Sequence, residues 1–224
     1  MRLFEAALRK LIRRPATYIT FGLLVGLLAL IMFAVAATAR QQPGEAGEAA
    51  LLLVTFPGAY TLIVSFVLGL GGLFAMIYGA AIAGSEWTWG TLKAAVARGE
   101  SRTRYQLVSF AAIALLVGVG LVVAVVIGVV VAVLSAGLAG VPTTGVTDAT
   151  ALAKLPELLA RGWLGVIEAG ALGFTIATLA RSQLAGVGVG IGIYFGESFA
   201  TLFLPDIVKY GPFNSGSAVV ASEG

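Results

Sequence analysis

"GSEWTWGTLKAAVARGESRTRY", residues 84–105, stands between two of the most apolar runs in the chain. It holds Trp87 and Trp89, Glu86 and Glu100, and the cations Lys93, Arg98, Arg102 and Arg104. A polar insert of this kind reads as the loop joining two membrane crossings. The whole composition agrees. Of 224 residues, 59% are apolar and 11% are charged, with a mean hydropathy of +1.00. A soluble domain carries about 25% charged residues, so much of this apolar surface needs lipid as its solvent.

Outward from that insert, five apolar runs are long enough to cross about 30 Å of hydrocarbon, which takes about 20 residues. They cover 17–39, 51–84, 105–138, 158–180 and 183–204. Spanning strands would alternate polar and apolar residues, and these runs do not, so the expected fold is all-α and polytopic, with residues 1–224 as one transmembrane domain. The second and third runs exceed one crossing and are expected to tilt or project beyond the bilayer. Pro57 and nearby glycines allow a break, which would make the start of the second run a short re-entrant piece.

Lys and Arg near span ends orient the chain. With the N-terminus inside, the inner side holds Arg2, Arg9, Lys10, Arg13, Arg14, Lys93, Arg98, Arg102, Arg104 and Arg181. The outer side holds only Arg40, Lys154, Arg161 and Lys209. The acids Glu45, Glu48, Asp148, Glu157, Asp206 and Glu223 then all fall outside. The expectation is a multi-pass protein of the cell (inner or plasma) membrane with a cytoplasmic N-terminus. "AVAATAR" (34–40) has the small-x-small look of a secretory cleavage site, but the apolar stretch before it exceeds the usual signal core of about 7–15 residues.

Residues 1–15, "MRLFEAALRKLIRRP", place Phe4, Leu8, Leu11 and Ile12 on one helical face and Arg2, Arg9, Lys10 and Arg13 elsewhere. This reads as an interfacial helix on the inner leaflet, held by apolar burial and anionic lipid. A basic tail that only sets topology is the plainer alternative. Within 84–105, Leu92, Ala95 and Val96 share a face, Gly99 is placed to stop the helix, and Ser101 to cap the next one. The segment 85–104 is thus expected to form a short helix between two long spans. An ordinary basic loop with an aromatic belt explains the composition equally well.

Several function classes are excluded or disfavoured. Cysteine and histidine are absent, which removes disulfides, thiolate metal sites and histidine catalysis, and no metal site is expected. None of the four lysines follows a glycine, so the chain has no phosphate-binding P-loop. "GVGVGIG" (186–192) lacks nucleotide-loop spacing and sits within an apolar run. Gly186, Gly188, Gly190, Gly192 and Gly196 instead give small-xxx-small pairs for helix packing, with Gly22 and Gly26 a weaker case. The basic residues lie beside spans, which fits topology and lipid rather than nucleic acid.

Two acids fall within the apolar runs, Glu168 and Glu197. An intramembrane carboxyl is costly and is a functional candidate by default, here as lining of a translocation path or as a polar pivot. A hydrogen-bonded helix contact, with Tyr194 or Ser198 nearby, is the structural alternative. Nothing places a nucleophile or metal beside them, so no catalytic residues are assigned.

The stretch "SEWTWGTLKAAVARGESRTRY" resembles the Glu–x3–Gly-Thr-Leu…Arg pattern after the second span of ABC-2 type transporter permeases, through Glu86, Gly90, Thr91, Leu92, Arg102 and Tyr105. The basic N-terminal helix resembles that family's elbow helix. The late "LPDIVKYGPFNSGSAV" is similar to its Leu-Pro region. The resemblance implies an ABC-2 (type V exporter-like) fold of six spans, of which five are visible here and a sixth would follow. It also implies pairing with a second, identical or homologous permease. A separate ATP-binding subunit would carry ATP and Mg²⁺ and dock on the 85–104 segment, so the chain is not an enzyme by itself. In that role Trp89, Leu92 and Val96 would give apolar contact, Lys93, Arg98 and Arg102 electrostatic steering, and Glu86 would hold the base of the segment. A non-ATP assembly or anchoring protein, or a proton-coupled secondary transporter using Glu168 and Glu197, are the other readings. The latter would gain from inverted repeats, and none is evident.

Overall fold

The computed structural model describes residues 2–41, 44–208, 211 and 213, and every regular element among them is a helix. In chain order these are α1 (Arg2–Ile12), α2 (Pro15–Gln41), α3 (Glu45–Val54), α4 (Gly58–Thr88), α5 (Thr91–Ala97), α6 (Arg102–Ala139), a 3-10 turn (Thr144–Thr147), α7 (Ala149–Ala180), α8 (Gln183–Ala200) and the short α9 (Pro205–Val208). Lys209 and Glu223 lie outside the described residues, as do positions 210, 212 and 214–219 of the Leu-Pro region.

Four helices, α2, α4, α6 and α7, are long and apolar enough to cross a membrane. The chain is a polytopic, all-α membrane protein. The expected run 183–204 forms α8, which has eighteen residues, rises about 27 Å, and carries five glycines and Glu197. It is not among the candidate spans. The second run is not one helix from 51 to 84. It breaks at Thr55–Pro57, giving the short α3 before α4. Proline supplies no N–H for a continuing helix. Gly58 is required there because a Cβ would lie 2.2 Å from the Leu52 carbonyl oxygen.

Side-chain size, more than hydrophobicity, decides which faces meet. α6 is apolar all round, so its hydrophobic pattern does not choose a face. Its small residues do: Ala124, Gly128, Ala132 and Ala136, four apart, are buried, while Val122, Val126, Val130 and Leu134 on another face are exposed. Small residues let backbones approach, and outward branched residues meet lipid. α4 and α7 pack closest of all. A Cβ on Gly79 would sit 2.5 Å from the Gly170 oxygen, and one on Gly173 2.2 Å from the Met76 oxygen. In α8, Gly186 abuts Ala177 and Ala80, and Gly190 abuts Met76. Gly188, Gly192 and Gly196 have nothing within 4 Å of a built Cβ, and neither do Gly22 and Gly26. The expected packing of α8 thus uses one glycine pair, Gly186 and Gly190, and the other three glycines meet nothing among the described residues.

The turn between α7 and α8 is Arg181–Ser182. Arg181 takes a left-handed φ of 52°, and the Ser182 hydroxyl accepts from the Ala185 N–H. Gly84 of α4 lets α8 begin against it, since a Cβ there would lie 2.3 Å from the Gln183 Cα. The α4–α5–α6 connection, the α7–α8 turn and α1 therefore share one end of the bundle, with ten of the fourteen Lys and Arg residues. At the other end, Tyr60 donates to the Val146 carbonyl at 2.6 Å. Asp148 caps α7 there, and the Thr150 hydroxyl followed by the Ala151 N–H holds its carboxyl below the usual range.

Gly173→Ala and Gly79→Ala should each destabilise the protein in detergent by about 1–3 kcal/mol, the cost of overpacking. Gly188→Ala and Gly192→Ala should be neutral or raise the melting temperature, because alanine favours the helix by about 1 kcal/mol. Thermal unfolding of the four variants checks this ranking.

Candidate functional site

The polar stretch that opens the sequence folds around one carboxylate. α4 carries Ser85, Glu86 and Trp87 in its last turn. Gly90, at a left-handed φ of 66°, then turns the chain sharply into α5. Beyond the end of α5, Gly99 takes a φ of 92°, and the Glu100 N–H bonds back to the Ala95 carbonyl at 3.2 Å. The Ser101 hydroxyl caps α6 through the Arg104 N–H at 3.1 Å. Stop and start signals therefore lie within three residues, which makes the segment a compact cross-helix.

Glu86 is 7% exposed. Its Oε1 accepts from Lys10 Nζ, and Arg14 Nη2 lies 3.6 Å from the same oxygen. Its Oε2 accepts from the Thr91 hydroxyl and, at 2.8 Å, from Tyr105 OH. Lys10 Nζ also reaches Tyr105 OH at 3.4 Å. One side chain thus ties together α1, the segment entering α2, the end of α4, the start of α5 and the start of α6. Removing a charge from water is expensive, and such a carboxylate persists only where charge and hydrogen bonds compensate it; here three donors and a second cation do so.

Arg14 extends the junction. Its Nη1 donates to Ser85 Oγ at 2.7 Å, and that hydroxyl donates to the Ile82 carbonyl at 2.8 Å. Its guanidinium lies 4.8 Å from the Trp89 ring centroid, while that of Arg181 lies 5.1 Å from Trp87. Each such contact contributes about 0.5–1 kcal/mol at an exposed site. Thr17 donates to the Leu11 carbonyl at 2.7 Å and lies 2.8 Å from Tyr78 OH, so the tyrosine is the donor in that second bond. The apolar face of α1 is seated on protein: Leu11 is buried with Ile82, Ala83 and Ile113, and Phe4 and Leu8 pack against that cluster. Ile12 alone of the four expected face residues is exposed. Lys10 reaches the α4 carboxylate from the same helix, so α1 is held to the bundle by an ion pair as well as by apolar contact.

The residues singled out from the sequence separate into two groups. Glu86, Thr91 and Gly90 build the junction, and Leu92, 3% exposed, is turned into the bundle with Ala95. Val96 is half-buried. Trp89 (65% exposed), Lys93, Arg98 and Arg102 remain on the surface. Lys10, Arg14, Ser85 and Arg181 were not singled out as site residues. A buried glutamate demands a cation, but five basic residues near the N-terminus left no way to choose among them.

Glu168 and Glu197 lie elsewhere. Glu168 is on the exposed face of α7, away from the buried stripe Val166, Ala169, Gly170 and Gly173. Glu197 is half-buried and accepts from the Phe213 N–H at 3.1 Å. Of their expected neighbours, Ser198 bonds to the Tyr194 carbonyl, and the Tyr194 ring meets Phe195 and Phe213 edge-on. Arg161, two turns before Glu168 on α7, pairs with Glu157 at 2.5 Å.

Fold and site together define a multi-pass membrane protein with a tightly built polar junction where its basic residues gather. Comparison with protein-family models, with curated proteins and with solved structures returns no match.

Glu86→Gln should destabilise the protein by about 3–5 kcal/mol, because it strands Lys10 and Arg14 without a counter-charge. Tyr105→Phe removes one neutral donor and should cost about 1 kcal/mol. Lys10→Met together with Glu86→Gln should cost clearly less than the two changes summed. Denaturant unfolding in detergent measures all four.

Proposed function

We propose that this chain is the membrane-spanning subunit of an ATP-driven exporter of the ABC-2 type, paired with a second permease and docked to separate ATP-binding subunits. The N-terminus is cytoplasmic in this reading, α8 is the fifth crossing, and α5 is the coupling helix. The observation that carries the proposal is the Glu86 junction. A short helix between two spans is bolted by one carboxylate to α1, α4 and α6. A push on α5 therefore reaches the ends of several spans at once. The motif positions Glu86, Thr91 and Tyr105, on which the resemblance rests, are the ones that make these bonds.

The geometry refines the division of labour. Leu92 seats α5 on the bundle, so Leu92→Asp would disrupt the junction itself. Contact with an ATP-binding subunit falls to the outward positions Trp89, Lys93, Ala97 and Arg102. Lys93 and Arg102 would steer acidic groups of the partner, an effect on association rate more than on final affinity. Glu168 and Glu197 keep the role of path lining or polar pivot.

The chain contains no cysteine, so single cysteines report cleanly. Lys93→Cys should react with a membrane-impermeant maleimide only after cells are opened, whereas Thr144→Cys, at the opposite end, should react on intact cells. Ala97→Cys should cross-link to a co-purifying ATP-binding subunit. Surface labelling of Lys93→Cys would reverse the orientation, and a purified complex without any ATP-binding subunit would remove the exporter reading.

A further inference from the structure

A cavity of about 310 Å³ opens between α1, α4, α5 and α6, beside the Glu86 junction. Part of its lining is apolar: Leu3, Ala7, Leu11, Ile82 and Val108. The rest includes Lys10, Glu86, Thr91, Arg98 and Tyr105. The charges of the lining are unbalanced. Lys10 and Arg98 stand against the single Glu86 carboxylate, which Arg14 also approaches from outside the cleft. Arg98 is on the cavity rim, and no carboxylate bonds to it among the described residues. A lining part apolar and part cationic, at the end of a membrane bundle, matches an amphiphile with an anionic head.

We infer that this cleft binds an anionic phospholipid, with the headgroup at Arg98 and Lys10 and the first part of an acyl chain along Leu3, Ala7 and Val108. Membrane lipid is the occupant rather than a free phosphate ion, because half of the lining offers nothing to a fully hydrated ion. The lipid lies between the elbow helix α1 and the cross-helix α5. It therefore acts as a removable wedge in the same junction that holds them, and the lipid composition of the leaflet sets how firmly α5 is seated. The inference does not depend on an ATP-binding partner and is tested on the purified chain.

Native mass spectrometry of the full chain in a neutral detergent, titrated with phosphatidylglycerol or phosphatidylcholine, provides the test. One phosphatidylglycerol should bind in preference to phosphatidylcholine by on the order of tenfold, about the effect of one charged hydrogen bond. Arg98→Gln, at an exposed position, should lower that affinity about five- to tenfold. Arg13→Gln removes an exposed charge that does not line the cleft and should lower it less than twofold. Ala94→Trp fills the cleft without changing charge and should abolish the tight adduct. Equal losses in Arg98→Gln and Arg13→Gln would mean general surface attraction and overturn the site. So would an unaffected Ala94→Trp, or glycerol phosphate competing as well as the intact lipid. Circular dichroism of each variant confirms the helical fold.

Discussion

A carboxylate buried at the end of a membrane helix must find cations, and the architecture at this end of the molecule follows from that demand. Glu86 is satisfied by Lys10, Thr91 and Tyr105, with Arg14 close behind. These residues lie far apart in sequence, so meeting the demand closes α1, α4, α5 and α6 on one another. Replacing the whole group by well-packed apolar residues would often be neutral for stability. What the ionic version adds here is directional: each oxygen fixes the position of a named donor, and α5 has one seat.

The rest of the bundle is held by a different force. Lipid offers apolar surface as readily as protein does, so helices in a membrane gain from close backbone approach and not from burying oil. The buried small faces of α6, the Gly79–Gly170 and Gly173–Met76 approaches, and the Gly84–Gln183 contact are the expression of that rule. Close packing makes α4, α7 and α8 stiff where they meet, and the polar junction sits at the tip of that unit. Movement imposed on α5 thus meets a rigid body on one side and the α1 elbow on the other. Gly188, Gly192 and Gly196 of α8 and the Val and Leu face of α6 lie on the outer surface of the described bundle.

The class of fold was legible because its cause is composition: long apolar runs without alternation leave only helices. The turn chemistry of 84–105 was also legible, since Gly99 and Ser101 signal locally and act locally. The break in the second run was only half legible. Pro57 announced it, but the need for glycine at Gly58 is set by Leu52 across the turn. The face α1 presents was readable from its periodicity, yet not its seat, because an amphipathic helix fits lipid and protein alike. The partners of Glu86 were illegible. Pairing at separations of 76 and 19 residues depends on which helix tips coincide in space. Leu92 shows the same limit: a residue suited by type to a docking surface is turned inward by geometry.

Hydrogen–deuterium exchange of Glu86→Gln against the parent protein, in one detergent, tests whether this carboxylate organises the basic end. The account predicts that amides of α1 and α5 lose protection together, severalfold or more, while α7 and α8 keep theirs. Protection unchanged in α1, or lost evenly across the whole bundle, would contradict it.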